Sequence, residues 1–293
     1  MTHIIRLLLY LTLSSTVLSQ GSGGLHPTTD RPPATGIFAG RYEARVGLAI
    51  QSLRENIRLD IGGSTILFRG VIGRDDAPNL RLAVGFDAFT WGRLRRAGGS
   101  GLLMETIDYY LGGSLSGRLS PSEPVNEFRM RLAYAASHRA DGDPDLLSVG
   151  GAAVPYNRAV AEGLIANRFS LLPNTHVDGR VYGGVEALLA SSPDTLQVFS
   201  FFAGGELTWE PWPQRSPSFR CGYQIRADNE DRSFLAHDVR AAVRLNVSDH
   251  AGLAVQGGYR TGRSDHGQYF FVRESTAWVG LGIDLGSTWL TTK

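Results

Sequence analysis

Lysine and cysteine are nearly missing from this chain of 293 residues: Lys293 is the only lysine among 29 basic residues, and Cys221 is the only cysteine. One thiol excludes an intramolecular disulfide framework and any cysteine-based zinc site. A surplus of charge is lacking too. The formal net charge is +1, so no basic face for nucleic acid is expected. Glycine is frequent, at 36 residues, but has no three-residue period, and heptads are absent, which excludes collagen-like and coiled-coil chains. After residue 39 no run of twenty residues is continuously apolar, which excludes a bundle of membrane-spanning helices.

What is present begins with an export address. Residues 1–19 place His3 and Arg6 before a short apolar run at 7–13, with Val17 and Ser19 ahead of an expected cut at Gln20. That run is too short to span a bilayer as a helix. Residues 20–38 carry Gly21, Gly23, Gly24, Pro27, Pro32 and Pro33 without an apolar face, and read as a flexible lead-in. Residues 39–286 read as a single β domain and 287–293 as a tail.

The body alternates with a period of two. In 127–136, Phe128, Met130, Leu132 and Tyr134 oppose Arg129, Arg131, Ala133 and Ala135. In 237–247, Val239, Ala241, Val243 and Leu245 oppose Asp238, Arg240, Ala242 and Arg244. Such segments are strands with two unlike faces. The same reading places about twelve strands at 40–51, 55–69, 79–92, 104–119, 126–137, 157–171, 176–190, 196–209, 217–228, 235–247, 251–262 and 272–285. Long, evenly spaced strands in an even number predict an all-β fold, a closed antiparallel up-and-down barrel.

Alternation alone does not say which face meets which solvent. A soluble secreted barrel or sandwich hides its apolar face, whereas an outer-membrane barrel turns it to lipid. Strands longer than the roughly nine to eleven residues needed to cross hydrocarbon favour the transmembrane barrel. A polar face mixing small residues such as Gly112, Ser114 and Ser116 with charges of both signs favours it too. Short gaps at 120–125, 172–175 and 248–250 then become periplasmic turns, and long ones at 93–103, 138–156 and 263–271 become outer loops. Trp91, Trp209, Trp212 and Tyr269 are candidates for the membrane interfaces. The partners of such a chain are the bilayer and the assembly machinery of a Gram-negative outer membrane.

Four stretches also carry a resemblance. They are 136–143 (ASHRADGD), 180–186 (RVYGGVE), 262–270 (GRSDHGQYF) and 279–283 (VGLGI). In order and spacing they resemble a bacterial family of exported proteins, domain of unknown function 1207. The resemblance spans nearly all of the chain after residue 19 and implies an outer-membrane barrel. Where members of that family carry a Ser-Ser-His-Leu-Gly-Asp-like run, this chain has Ser137-His138-Arg139-Ala140-Asp141-Gly142-Asp143. The resemblance supplies no catalytic residues.

Two sets of residues are candidates for a site. The first is an outer-loop group: Ser137, His138, Asp141, Asp143, His266 and Gln268. His138 with Asp141 and Asp143 offers divalent-cation ligands, but the run lacks the later Glu of a calcium loop and is read as an exposed turn, with no metal or cofactor. Nucleophilic catalysis needs Ser within reach of His. Ser137 and His138 are strand neighbours and face oppositely, while Ser264/His266 and Ser248/His250 fall in connections. A lipolytic enzyme is therefore only the alternative reading. The second set is the lumen: Arg129, Arg131, Arg220, Arg226, Arg240, Arg244 and Arg260, with Asp178, Glu186 and Glu206. Asp87, Asp108 and Asp238 take the same face. Such a lumen is either a narrow charge-selective, porin-like pore or an interior occluded by ion pairs beneath a surface-binding scaffold.

Overall fold

The computed structural model describes residues 36–41, 43, 45–52, 56–72, 79–96, 101–120, 125–139, 156–172, 176–192, 198–211, 217–228, 234–248, 251–264, 266–267 and 272–284. The first six strands are β1 Val46–Gln51, β2 Ile57–Ile72, β3 Asn79–Arg96, β4 Leu102–Ser120, β5 Val125–Arg139 and β6 Tyr156–Leu172. The other six are β7 Val177–Ser192, β8 Phe199–Trp209, β9 Ser218–Asp228, β10 Phe234–Ser248, β11 Ala251–Arg263 and β12 Arg273–Asp284. Each pairs antiparallel with its neighbours in sequence, and β1 closes the ring on β12, with Val46 opposite Ile283 and Gln51 opposite Trp278. Closure matters because a sheet edge in hydrocarbon would leave backbone groups without partners.

The alternation sorts the side chains inside out. On β5, Met130, Leu132 and Tyr134 are exposed while Arg129, Arg131, Ala133 and Ala135 are buried. On β10, Val239, Val243, Leu245 and Val247 face outward and Arg240, Ala242 and Arg244 inward. Ile165 at 72% and Phe68 at 71% are among the most exposed of a long row of large apolar residues. A water-soluble barrel would bury these side chains, since each is worth about 1.5–3 kcal/mol when removed from water. Here the charges are buried and the hydrocarbon is outside, the arrangement of a transmembrane barrel.

Expected and observed strands agree to within a few residues at most ends, with one consequential exception. The first strand begins at Val46, not at 40. Gly36–Phe38, expected to end the flexible lead-in, and Ala39 after them run through the lumen, where Ile37 and Ala39 are 3% and 0% exposed. Strands β3 and β4 also run on past their expected ends, so the connection between them shrinks to 97–101. Trp91 corrects the interface reading: it lies inside the barrel, 3% exposed, tilted at 5.3 Å against Phe89, which stacks on Tyr110 at 4.6 Å. Odd-numbered residues of β3 from Ala83 to Trp91 face inward, so parity outweighs nearness to the strand end. Trp209 is exposed and stacks on Phe219 at 5.1 Å, as an interface aromatic does. Trp212 and Tyr269 lie outside the described residues.

Candidate functional site

Adjacent strands bring their inward charges side by side, and the lumen is laced by the result. Arg129 and Arg131, two apart on β5, meet the opposite oxygens of Glu162 on β6 at 2.9 and 2.6 Å. Glu186 on β7 takes Arg158 at 3.1 Å and Arg226 at 2.9 Å, and Arg226 also reaches Asp228 at 2.6 Å. Glu206 on β8 takes Arg220 at 2.6 Å. Arg240 and Arg244 are buried inside, whereas Arg220, Arg260 and Asp178 are half-buried on the same face. All ten expected lumen charges therefore line the interior. A charge taken from water is tolerated only when paired and hydrogen-bonded, and Glu162, Glu186 and Glu206 are paired with arginines of neighbouring strands. Aromatic packing that parity alone does not announce stands beside them: Phe89, Trp91 and Tyr110 gather with Val160, and Arg131 lies over the Tyr110 ring at 5.1 Å.

The segment ahead of β1 crosses this interior as a strap. Ile37 packs with Leu164, Tyr182 and Phe202 of three successive strands. The Phe38 ring lies between two guanidinium groups, 4.7 Å from Arg220 and 5.5 Å from Arg240. Its amide donates to Glu206, and its carbonyl accepts from Arg240 Nη1 at 2.6 Å. Glu43 then accepts twice from Arg129, at 3.1 and 2.6 Å, in the bidentate geometry that suits Arg with a carboxylate. Arg41 donates to the carbonyl of Ser264, linking the strap to the β11–β12 connection.

Of the expected outer-loop group, Ser137, His138 and His266 are among the described residues, and His138 faces away from the other two. Ser137 and His138 belong to β5 itself, Ser137 buried inward and His138 exposed outward against the edge of Tyr109 at 5.8 Å. Asp141, Asp143 and Gln268 lie outside the described residues. His266, expected on the rim, turns into the barrel instead and is 1% exposed. Its Nδ1 lies 2.8 Å from Asp108 Oδ2 and 2.9 Å from Thr106 Oγ1, while the Gly267 amide donates to Asp108 Oδ1 at 2.8 Å. Ser264 Oγ accepts from the His266 backbone amide at 3.3 Å and so serves the turn rather than the imidazole. Burial pushes the imidazole below its ordinary pKa, and the Arg93 charge adds to that against the opposing bond to Asp108. The ring is therefore neutral near pH 7. A carboxylate only accepts, so the partners assign the proton to Nδ1. Nε2 is left as a bare acceptor, with no hydrogen-bond partner among the described residues.

His266 belongs to the wall of a cavity of about 40 Å³ bounded by β1, β2, β3, β10, β11 and β12. Arg45, Arg58, Arg93, Arg240, Arg260 and Arg263 contribute to its lining, against the carboxylates of Asp60, Asp238 and Glu274. Asp60 is held by Arg45 at 2.9 Å and Arg58 at 2.8 Å, and Glu274 by Arg93 at 2.8 Å.

No protein-family model matches the chain, and no curated protein matches it. Solved structures do. An active-site mutant of outer membrane phospholipase A from Escherichia coli is similar, with a TM-score of 0.52 at 10% identity over 94% of this chain and 98% of that one. A second structure of the E. coli phospholipase gives 0.50 at 10% identity over 84% and 94%. The β domain of the Bordetella autotransporter BrkA gives 0.44 at 13% identity over 82% and 96%. The fold is that of outer-membrane β-barrels.

Within that fold the site missed by sequence reasoning is the set around His266. Asp108 falls on the lumen face by alternation, and the Arg58–Asp60 pair follows the same parity on β2. Nothing in one-dimensional spacing joins residue 108 to residue 266. They meet because closing the ring brings the β11–β12 connection over β4.

Proposed function

We propose that this chain is a bacterial outer-membrane barrel that is closed at rest by its own N-terminal strap, and that it serves as a surface-facing binding barrel rather than an open porin-like pore. The observation that carries this reading is the pair of hydrogen bonds that Arg129 donates to Glu43, which seats the strap on the paired charges of the lumen. The apolar exterior, the export-type leader at 1–19 and the outer-membrane fold support the location. The two longest connections, 140–155 and 264–272, share one rim, which supports an orientation with the β11–β12 connection outermost. The resemblance to domain of unknown function 1207 proteins is part of the same proposal and rests on the stretches quoted above.

Hydrolysis of lipid draws no support from the geometry. Among the described residues, the histidines on the outward face of the strands, His138 and His237, are engaged by Tyr109 and by Tyr223 Oη, the latter at 2.8 Å. The oriented histidine, His266, lies inside the wall, away from lipid. Planar-bilayer recording tests the reading. The intact chain is expected to insert without resolved conductance, and steady porin-type conductance from a folded sample would overturn it.

A further inference from the structure

The cavity beneath His266 has a chemistry of its own. Its lining carries six arginines against three carboxylates, so with His266 neutral the chamber is positive. The salt bridges described above do not use up its polar atoms. Arg45 Nη1 and Arg240 Nε are buried donors with no hydrogen-bond partner among the described residues. His266 Nε2 and Asp238 Oδ1 are buried acceptors in the same condition. Arg240 is 5% exposed and His266 is 1% exposed, so bulk water does not serve them. Polar atoms buried in that way ordinarily have partners. Both ends of the chamber are held: Arg45 continues the strap, His266 is fixed through Asp108, and Arg41 ties strap to connection.

We propose that this cavity binds a small protonated oxyanion of the phosphate type. Arg45 and Arg240 donate to its oxygens, and His266 and Asp238 accept from its hydroxyls. The positive lining selects an anion. The two acceptors then discriminate among anions, because sulfate and chloride have no proton to give and would set their charge against a carboxylate and a lone pair. Hydrogenphosphate and dihydrogenphosphate carry both acceptor oxygens and O–H donors. A volume of about 40 Å³ admits one compact ion, since a single water takes roughly 10–15 Å³ on the same measure. The ion is free phosphate: near neutral pH a phosphomonoester has at most one O–H on phosphorus and cannot serve both acceptors. The site needs only the closed barrel, so a conducting barrel would overturn the proposed function and leave this inference standing.

Calorimetric titration of the full folded chain in detergent micelles at pH 7.5 tests it, with inorganic phosphate, sulfate and glycerol phosphate as probes. Phosphate is expected to bind one to one and sulfate about tenfold more weakly or worse, as sites built around a substrate hydroxyl reject analogues without it. Arg45→Gln is expected to weaken phosphate by about tenfold, the scale of one lost charged hydrogen bond. Asp238→Asn replaces an acceptor by a group that can also donate, and is expected to narrow the gap between phosphate and sulfate. His266→Leu removes the other acceptor and is expected to weaken phosphate more than sulfate; should it fail to close its barrel on a gel, Asp238→Asn still carries the test. Glycerol phosphate, with fewer O–H groups on phosphorus and a larger body, is expected to bind more weakly than phosphate, and binding as tight as phosphate would overturn the two-acceptor arrangement. No binding of phosphate by the folded chain, or equal binding of sulfate and phosphate, overturns the proposal.

Discussion

At the scale of single residues, two positions show how little room the barrel leaves. Gly280 sits at the seam where β12 meets β1, and a Cβ there would lie 2.2 Å from the Leu48 carbonyl oxygen and 2.7 Å from Ala49 Cα. Backbone cannot swing aside as a side chain does. Gly280→Leu is therefore expected to destabilise closure by about 1–3 kcal/mol, read as a lower urea midpoint in micelles. His266 carries the pH dependence. Its folded pKa lies below the ordinary value, so between the two values the unfolded chain binds the proton more readily. Its contribution is complete above about pH 6.5 and is lost as pH falls below that value towards the folded one. Urea midpoints at pH 7.5 and pH 5 are expected to differ in that direction, with a smaller difference in His266→Gln. Parity in the sequence puts the neighbours of His266 on their faces, but its spacing to Ser264 suggests a Ser–His pair that the fold replaces with Asp108.

At the scale of elements, the strap is where periodicity misleads. Residues 40–45 read Gly-Arg-Tyr-Glu-Ala-Arg and alternate as the wall strands do. A period of two reports an extended chain with two environments, and a segment crossing a lumen between unlike walls satisfies it as well as a strand does. Strand β5 is legible for the opposite reason: each of its residues has a lateral partner, and its two faces meet hydrocarbon and charge. If Glu43 anchors the strap, Glu43→Ala strips Arg129 of a bidentate partner in a buried setting. The expected cost is about 3 kcal/mol, at the low end for a broken buried pair because Glu162 still holds Arg129. Equilibrium unfolding measures the loss, and trypsin is expected to cut at Arg41 in this variant before it cuts the parent chain.

At the scale of the whole molecule, the question is which solvent meets which surface, and Cys221 answers it without any engineered probe. It is exposed on the outer face of β9, opposite Leu207 on one side and Ala241 on the other. In a barrel reconstituted into vesicles it is expected to react with an apolar maleimide and to resist a charged one. After unfolding in urea the charged reagent is expected to label it. Ready labelling by the charged reagent in folded vesicle samples would mean that this face meets water.

Composition and the two-residue period were enough to determine that the chain is β, that its strands number about twelve, and that charge and hydrocarbon lie on opposite faces. Those are local properties, set by each residue against its neighbours. Only the tertiary structure decided which inward charges pair, that the strap lies among them, and that His266 turns inward to Asp108. These depend on which residues closure brings across the ring, and pairs separated by 158 positions have no period to betray them.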